Sequence, residues 1–147
     1  MAYTLGLSCK FYRNSGSYSS PTWVEISNVS DVTLSMSTDV ADVTTRAASG
    51  WKAQVPTLKD GTISFEMIAD KSDPNYTTLF NAFLNNTPLD CAAADGVIST
   101  TGTTYFRALF AITKFEFTEA LTDARRASIE LVPTFSVTQS PAFVTAP

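Results

Sequence analysis

Residues 28–60, NVSDVTLSMSTDVADVTTRAASGWKAQVPTLKD, decide the architecture. Val32, Leu34 and Met36 alternate with Asp31, Thr33, Ser35 and Ser37, the period-two pattern of a strand with one apolar face. Trp51, Ala53 and Val55 alternate in the same way against Lys52 and Gln54 and mark a second strand. Between them Ser37 to Gly50 reads as a polar loop, long for a single small domain. Val40, Ala41 and Val43 are interspersed there with Asp39, Asp42, Thr44, Thr45 and Arg46. Apolar side chains scattered through a polar loop suit contact with another surface, so the loop reads as an assembly device rather than an active site.

On the C-terminal side, Lys59-Asp60-Gly61 carries a hairpin signal, because Asp-Gly readily takes positive φ angles between two strands. Ile63, Phe65 and Met67 alternate with Thr62, Ser64 and Glu66 in the strand that follows, so 51–58 and 62–69 are predicted to pair antiparallel across that turn. One helix is predicted over 74–85. Asp73 is a good N-cap, Pro74 suits the first turn, and Tyr76, Leu79, Phe80, Phe83 and Leu84 form one apolar stripe. Asn85, Asn86 and Pro88 end it, and a lone amphipathic helix in a strand-rich chain covers a sheet. Residues 90–103 have no strong pattern and read as an irregular connection with a short strand at Val97–Ser99. Tyr105–Phe117 is apolar on both faces over its first half, the mark of a strand buried on both sides. Thr118–Ala124 reads as a hairpin turn, and Arg125–Val137 alternates with Ala127, Ile129, Leu131, Phe135 and Val137 on one face. The tail, 139–147, has two prolines and no period and is expected to run along a surface.

On the N-terminal side, Trp23, Val24 and Ile26 supply a short strand within Thr22–Ser27, after a Ser/Gly/Asn-rich turn over 14–20. Ala2–Tyr12 alternates loosely and reads as the first strand; long edge strands need protection, and Tyr105–Ile112, poor in lysine and proline, offers little of its own. Seven or so strands and one helix give a mainly β fold, a β-sandwich or partly open barrel with one flanking α-helix, in a single domain spanning 1–147. No repeat of 20–50 residues and no domain boundary is visible.

Composition narrows the function. The chain has no histidine, so it lacks the usual general base, proton shuttle and commonest metal ligand. The carboxylate pairs Asp39/Asp42 and Asp70/Asp73 lie in a polar loop and at a helix start, where solvation and capping account for them. The calcium-loop spacing is missing, and the glycines form neither GxGxxG nor a phosphate loop. No catalytic, cofactor-binding or metal-binding residue is therefore assigned. A net charge of −4 argues against nonspecific nucleic-acid binding but allows DNA to pass without sticking. The opening MAYTLGLSCKFYR lacks a basic lead before an apolar core, and no apolar run reaches the ~20 residues of a membrane span, so a soluble chain made in a cytoplasm is expected. Cys9 and Cys91, far apart and forming no CxxC pair, are then read as free, buried thiols in preference to the alternative of a structural disulfide. Tyr18 and Trp51, if exposed, are able to stack on sugars, which keeps a carbohydrate-binding sandwich as the competing reading.

Several segments together carry a resemblance. Ile26-Ser27-Asn28-Val29, Asp31-Val32-Thr33-Leu34-Ser35, Ala41-Asp42-Val43-Thr44-Thr45-Arg46, Gly50-Trp51-Lys52-Ala53 and Leu58-Lys59-Asp60-Gly61 are similar in order and spacing to the tail tube (major tail) proteins of tailed bacteriophages. The likeness continues through Asn81-Ala82-Phe83-Leu84-Asn85, Lys114-Phe115, Glu119-Ala120-Leu121 and Ile129–Ser136, covering Trp23 to Thr138. Ala120 stands where the family more often has proline, and 90–103 departs from its pattern. The resemblance implies hexameric rings whose strands extend across neighbouring subunits, stacked into a virion tail tube that delivers the genome. The alternative it leaves is the inner tube of a contractile injection machine. By position, Asp39, Val40, Ala41, Asp42, Val43, Thr44, Thr45, Arg46 and Trp51 would contact the next ring. Glu116, Glu119, Asp123 and Glu130 would be candidates for the acidic lumen. Implied partners are further copies of the chain, a tape-measure and a tail-terminator protein, and a sheath in contractile tails. Genomic DNA would pass without specific binding, no membrane would be involved, and assembly would take place in the host cytoplasm.

Overall fold

A computed structural model describes residues 3–134 and 136–147. Its strands are β1 (Lys10–Asn14), β2 (Trp23–Glu25), β3 (Thr33–Asp42), β4 (Gln54–Ile68), β5 (Leu89–Ala94), β6 (Thr104–Thr118), β7 (Arg126–Pro133) and β8 (Ala142–Thr145). One helix, α1 (Pro74–Leu84), lies between β4 and β5. Every pairing is antiparallel, in the order β2-β1-β5-β6-β7-β4-β3. β8 pairs with the first residues of β6, Arg107 opposite Ala142, on the line that β7 leaves at Pro133 opposite Phe110.

The sheet coils on itself. Phe11 of β1 and Phe65 of β4 are separated by three strands in the pairing order, yet their rings lie 5.0 Å apart. After β2 the chain crosses from one end of the sheet to the other: Ile26 N–H donates to Phe11 C=O, and Ser30 N–H donates to Glu66 C=O. That crossing half-closes the coil into a partly open barrel, one of the two architectures expected; the described strands form one sheet rather than the two packed sheets of a sandwich. Inside it Phe11, Ile26, Ile63, Met67, Phe110, Ile129 and Leu131 are fully buried. The alternation of β4 and of β7 sends Ile63, Phe65, Met67, Ala127, Ile129 and Leu131 into this core, as their period requires.

α1 is built as its sequence demands. The Asp73 carboxylate accepts from Asn75 N–H at 3.0 Å and from the Asn28 amide at 2.9 Å, and Pro74 opens the first turn. Phe80 then packs against Phe115 and Phe117 of β6, with ring centroids 5.4 and 6.2 Å apart. Leu84, expected in the same stripe, is exposed, because the contact ends at Phe83. Replacing Asp73 by Ala removes the cap and orphans the Asn28 donor, so a loss of about 1–2 kcal/mol is expected in urea unfolding.

β6 is apolar on both faces because both are covered. Phe106, Phe110 and Ile112 enter the main core, while Tyr105 packs on a second cluster of Tyr12, Ala92, Ala94 and Ile98 on the other side of the sheet. Between β5 and β6 stands an ion pair whose side chains are only 10–12% exposed. Arg107 Nη2 lies 2.6 Å from Asp90 Oδ2, and Arg107 Nε is 3.1 Å from both carboxylate oxygens. The same guanidinium donates to Tyr18 C=O and sits 3.8 Å from the Tyr18 ring centre, tying down the 14–22 turn.

Several sequence expectations are corrected. Lys59-Asp60-Gly61 is no turn: Met36, Ser37 and Thr38 pair with Gly61, Asp60 and Lys59 inside the long strand β4. The predicted pair 51–58 and 62–69 is therefore largely one strand, and the true partner is β3. Gly61 serves close approach instead, since a Cβ there would meet the Phe106 ring at 3.5 Å. The loop 37–50 becomes a turn over 43–53: 37–42 belong to β3, while Trp51–Ala53, expected in the second strand, lie in the turn because β4 begins at Gln54. The first strand begins at Lys10 rather than Ala2, and Tyr3, Leu5 and Leu7 are exposed; Ala2 lies outside the described residues. The strand sought at Val97–Ser99 is instead β5, and the C-terminal tail contributes β8. The last long strand stops at Pro133, which leaves Val137 exposed; Phe135 lies outside the described residues. Tyr105–Ile112 is not an edge, since β5 flanks it on one side and β7 and β8 on the other.

Candidate functional site

The longest open edge among the described residues belongs to β3, and with the adjoining half of β4 it forms an arm. Pairing runs without a break from Thr33 opposite Ser64 to Asp42 opposite Gln54, except for one register shift between Thr38 and Val40. Ten residues of strand extend roughly 33 Å at about 3.3 Å per residue. Every residue from Ser35 to Ala47 and from Gln54 to Asp60 is exposed. Backbone pairing, with the Thr57 hydroxyl donating to Asp39 C=O at 3.0 Å, thus holds the outer arm, with no core beneath it.

The turn at its tip is ordered by local bonds. Asp42 Oδ1 accepts from Thr44 N–H at 2.9 Å, and Thr44 Oγ1 accepts from Ala53 N–H at 2.9 Å. Bonds from the Thr44 side chain and backbone hold the Asp42 carboxyl below its ordinary range. Arg46–Ala48 form a short 3-10 turn, and Ser49 and Gly50, both with positive φ, reverse the chain into Trp51. Met36, Val40, Val43, Trp51, Val55 and Leu58 are 48–79% exposed, an apolar load that an isolated surface hairpin does not need.

The second candidate surface is the sheet face opposite the core, where β4, β7 and the end of β6 run side by side. Since Ala127, Ile129 and Leu131 point inward, Arg126, Ser128 and Glu130 point outward. Glu66, Ser128 and Glu116 lie in register across the three strands. This face and the turn between β6 and β7 are polar but not uniformly acidic. Glu116 pairs with Lys114 at 3.1 Å, Glu119 with Arg125 at 2.7 Å, and Asp123 with Arg126 at 3.2 Å. Exposed pairs of this kind contribute little stability, so their main effect is to offset charge locally.

The sequence profile described as phage tail tube protein matches residues 12–136. The chain belongs to the phage tail tube protein family. That membership makes it a structural protein of a virion tail, the role the resemblance implied. No curated protein matches the sequence. Among solved structures, the chain is similar to the tail of an empty gene transfer agent particle refined with helical C6 symmetry, at 13% identity and a TM-score of 0.73 over 99% of this chain and 100% of that one. It is also similar to the SPP1 tail tube (12% identity, TM-score 0.70, 98% of this chain and 79% of that one). A further likeness is to a chain of the anti-feeding prophage baseplate (9% identity, TM-score 0.58, 93% and 91%). At these identities the likeness is one of fold.

Within this tail tube fold, Asp39, Val40, Ala41 and Asp42 lie on the last residues of β3, Val43, Thr44, Thr45 and Arg46 enter the turn, and Trp51 leaves it. The structure gathers all nine at the outer end of one arm. Met36, Val55 and Leu58 belong to the same apolar set and were missed. The Asp-Gly signal divides β4 in two and hides the pairing of 54–60 with 37–42 of β3. Of the four acidic candidates, Glu116 and Glu130 share the outward sheet face, whereas Glu119 and Asp123 lie in the turn between β6 and β7. Glu66 joins that face unforeseen.

Other singled-out residues have local explanations. Tyr18 is engaged by Arg107, which removes it as a free sugar-stacking platform. Asp70 caps its own turn through Ser72, and that bonding lowers its pKa. Both cysteines are free, but only Cys91 is buried as expected, and burial pushes its thiol pKa far up. Cys9 is exposed.

Proposed function

We propose that this protein closes into hexameric rings that stack into a tail tube, the conduit through which a genome leaves the virion. The observation that carries this reading is the match of 12–136 to the tail tube family. The C6 symmetry of the gene transfer agent tail supports six subunits per ring. In this reading the arm, with Asp39–Arg46 and Trp51 at its end, reaches the next ring. The polar face bearing Glu66, Glu116 and Glu130 turns toward the lumen, where a charge-balanced wall neither grips nor repels DNA strongly. The role is structural and needs no catalytic group or cofactor. It implies a tape-measure protein inside the tube, a terminator at its end and, in a contractile tail, a sheath around it. Assembly takes place in the host cytoplasm, without a membrane partner.

Negative-stain microscopy of the concentrated protein tests this directly. Six-fold rings or tubes are expected. Monomers under all conditions, together with affinity for a glycan, would overturn the proposal.

A further inference from the structure

A groove opens at the base of the arm, beside Val32 and Leu34. It measures about 940 Å³ and lies between the N-terminal segment, β1, the crossing after β2 and the ends of β5 and β8. Its apolar lining includes exposed Leu7 and Phe143 beside buried Phe11 and Ile26. Four charged residues line it: Lys10, Glu25, Asp31 and Asp95. Lys10 is paired with Glu25 at 3.1 Å. Among the described residues neither Asp31 nor Asp95 has an ion-pair partner, so the groove keeps two negative charges.

The tip of the arm is the complement. Between Val43 and Ala53 the only charged residues are Arg46 and Lys52, and among the described residues neither is ion-paired. Trp51 stands between them along the chain, 79% exposed, with the amphipathic bulk typical of interface anchors. A copy cannot fill its own groove. Val32 and Leu34, where the arm begins, line the groove, and the tip lies roughly 33 Å of strand away.

We infer that the arm tip, residues 43–53, docks in this groove of a second copy, with Trp51 against the apolar lining and Arg46 and Lys52 facing Asp31 and Asp95. This specifies the receptor for the contact proposed above and rests on that reading. A tip-to-base contact is heterologous, and each copy offers one donor and one acceptor. It therefore repeats from copy to copy, as stacking of rings requires. The opposite charges fix the register of docking and disfavour other partners.

Cys9 supplies a native reporter, because it lines the groove and is exposed, while Cys91 is buried. Ala47→Cys places a second thiol at the tip without changing Trp51, Arg46 or Lys52. After assembly, a short bismaleimide should link these two thiols between copies and give a ladder of covalent oligomers on a denaturing gel. The ladder should vanish in Ala47→Cys/Cys9→Ser. Independently, Lys52→Asp should raise the concentration needed for assembly at least about tenfold by setting like charges together, and adding Asp31→Lys should restore much of the loss. Tubes that form normally without a Cys9-dependent ladder, or a Lys52→Asp defect that Asp31→Lys does not relieve, would overturn the groove assignment and leave the tube intact. An unmodified chain that never assembles would overturn the tube and the docking together.

Discussion

A chain in which Asp39–Leu58 is replaced by an Asn-Gly turn is expected to fold normally and to form no tubes. Thr38 and Lys59 are paired across the arm, so a two-residue type I′ turn can close the shortened hairpin at that rung. The deleted segment contributes no residue to either buried cluster. Its removal should leave the unfolding midpoint within a few degrees of the parent, with an unchanged far-ultraviolet spectrum apart from the lost strand signal. Assembly, in contrast, loses Val40, Val43, Trp51, Val55 and Leu58, five of the six exposed apolar side chains of the arm. Burying such side chains is worth about 25 cal/mol per Å², and without them a stacked contact retains only minor polar terms. Sedimentation of the variant at concentrations where the parent polymerises decides the matter. Tubes of ordinary length from the shortened chain would show that the arm is not the joint between rings.

The second large effect is expected at Asp90. Asp90→Ala leaves the Arg107 guanidinium desolvated beside β5 with only the Tyr18 carbonyl and the Tyr18 and Trp23 rings for company. Losing one partner of a buried pair costs about 3–5 kcal/mol, which for a chain of this size lowers the melting temperature by roughly 10 °C. The Asn14 amide, which donates to Asp90 Oδ2 at 3.0 Å, loses that acceptor and keeps Ser17 C=O, also at 3.0 Å. Replacing both charges, as in Asp90→Leu/Arg107→Met, should recover most of that loss, since two apolar side chains of similar size need no compensation. The contrast between single and double variants, read by calorimetry, separates an uncompensated charge from simple loss of packing. A single variant within 1 kcal/mol of the parent would show that the pair is effectively solvated.

Assembly follows physically from where unsatisfied surface lies. The body of the protein closes its own sheet: β6 is flanked on both sides and the crossing after β2 covers the outer edge of β4 near Met67. The longest edge left open among the described residues is that of β3, ten residues against three in β2 and four in β8, interrupted by one bulge and carrying Asp39 and Asp42. Bulges and charges of this kind discourage indiscriminate edge pairing while leaving side chains free for a specific partner. The arm thus remains available to a neighbour without inviting aggregation.

The sequence by itself determined what depends on neighbours a few residues apart. Asp73-Pro74 opened α1 where it was expected, the stripe from Tyr76 to Phe83 faced β6, and Ala127, Ile129 and Leu131 alternated into the core. The two-sided apolar pattern of Tyr105–Ile112 correctly implied cover on both faces, and the ordered run of segments from Ile26 to Ser136 carried the family. Tertiary structure alone decided what depends on distant partners. Asp60-Gly61 has every local reason to turn, yet Ser37 and Met36 pair with it and Phe106 lies over Gly61, so a ladder of cross-strand bonds outweighed a local preference. The same holds for Asp90 and Arg107: nothing in their 17-residue separation announces a pair. That pair exists because β5 and β6 bring them together away from water, where a lone charge would be costly.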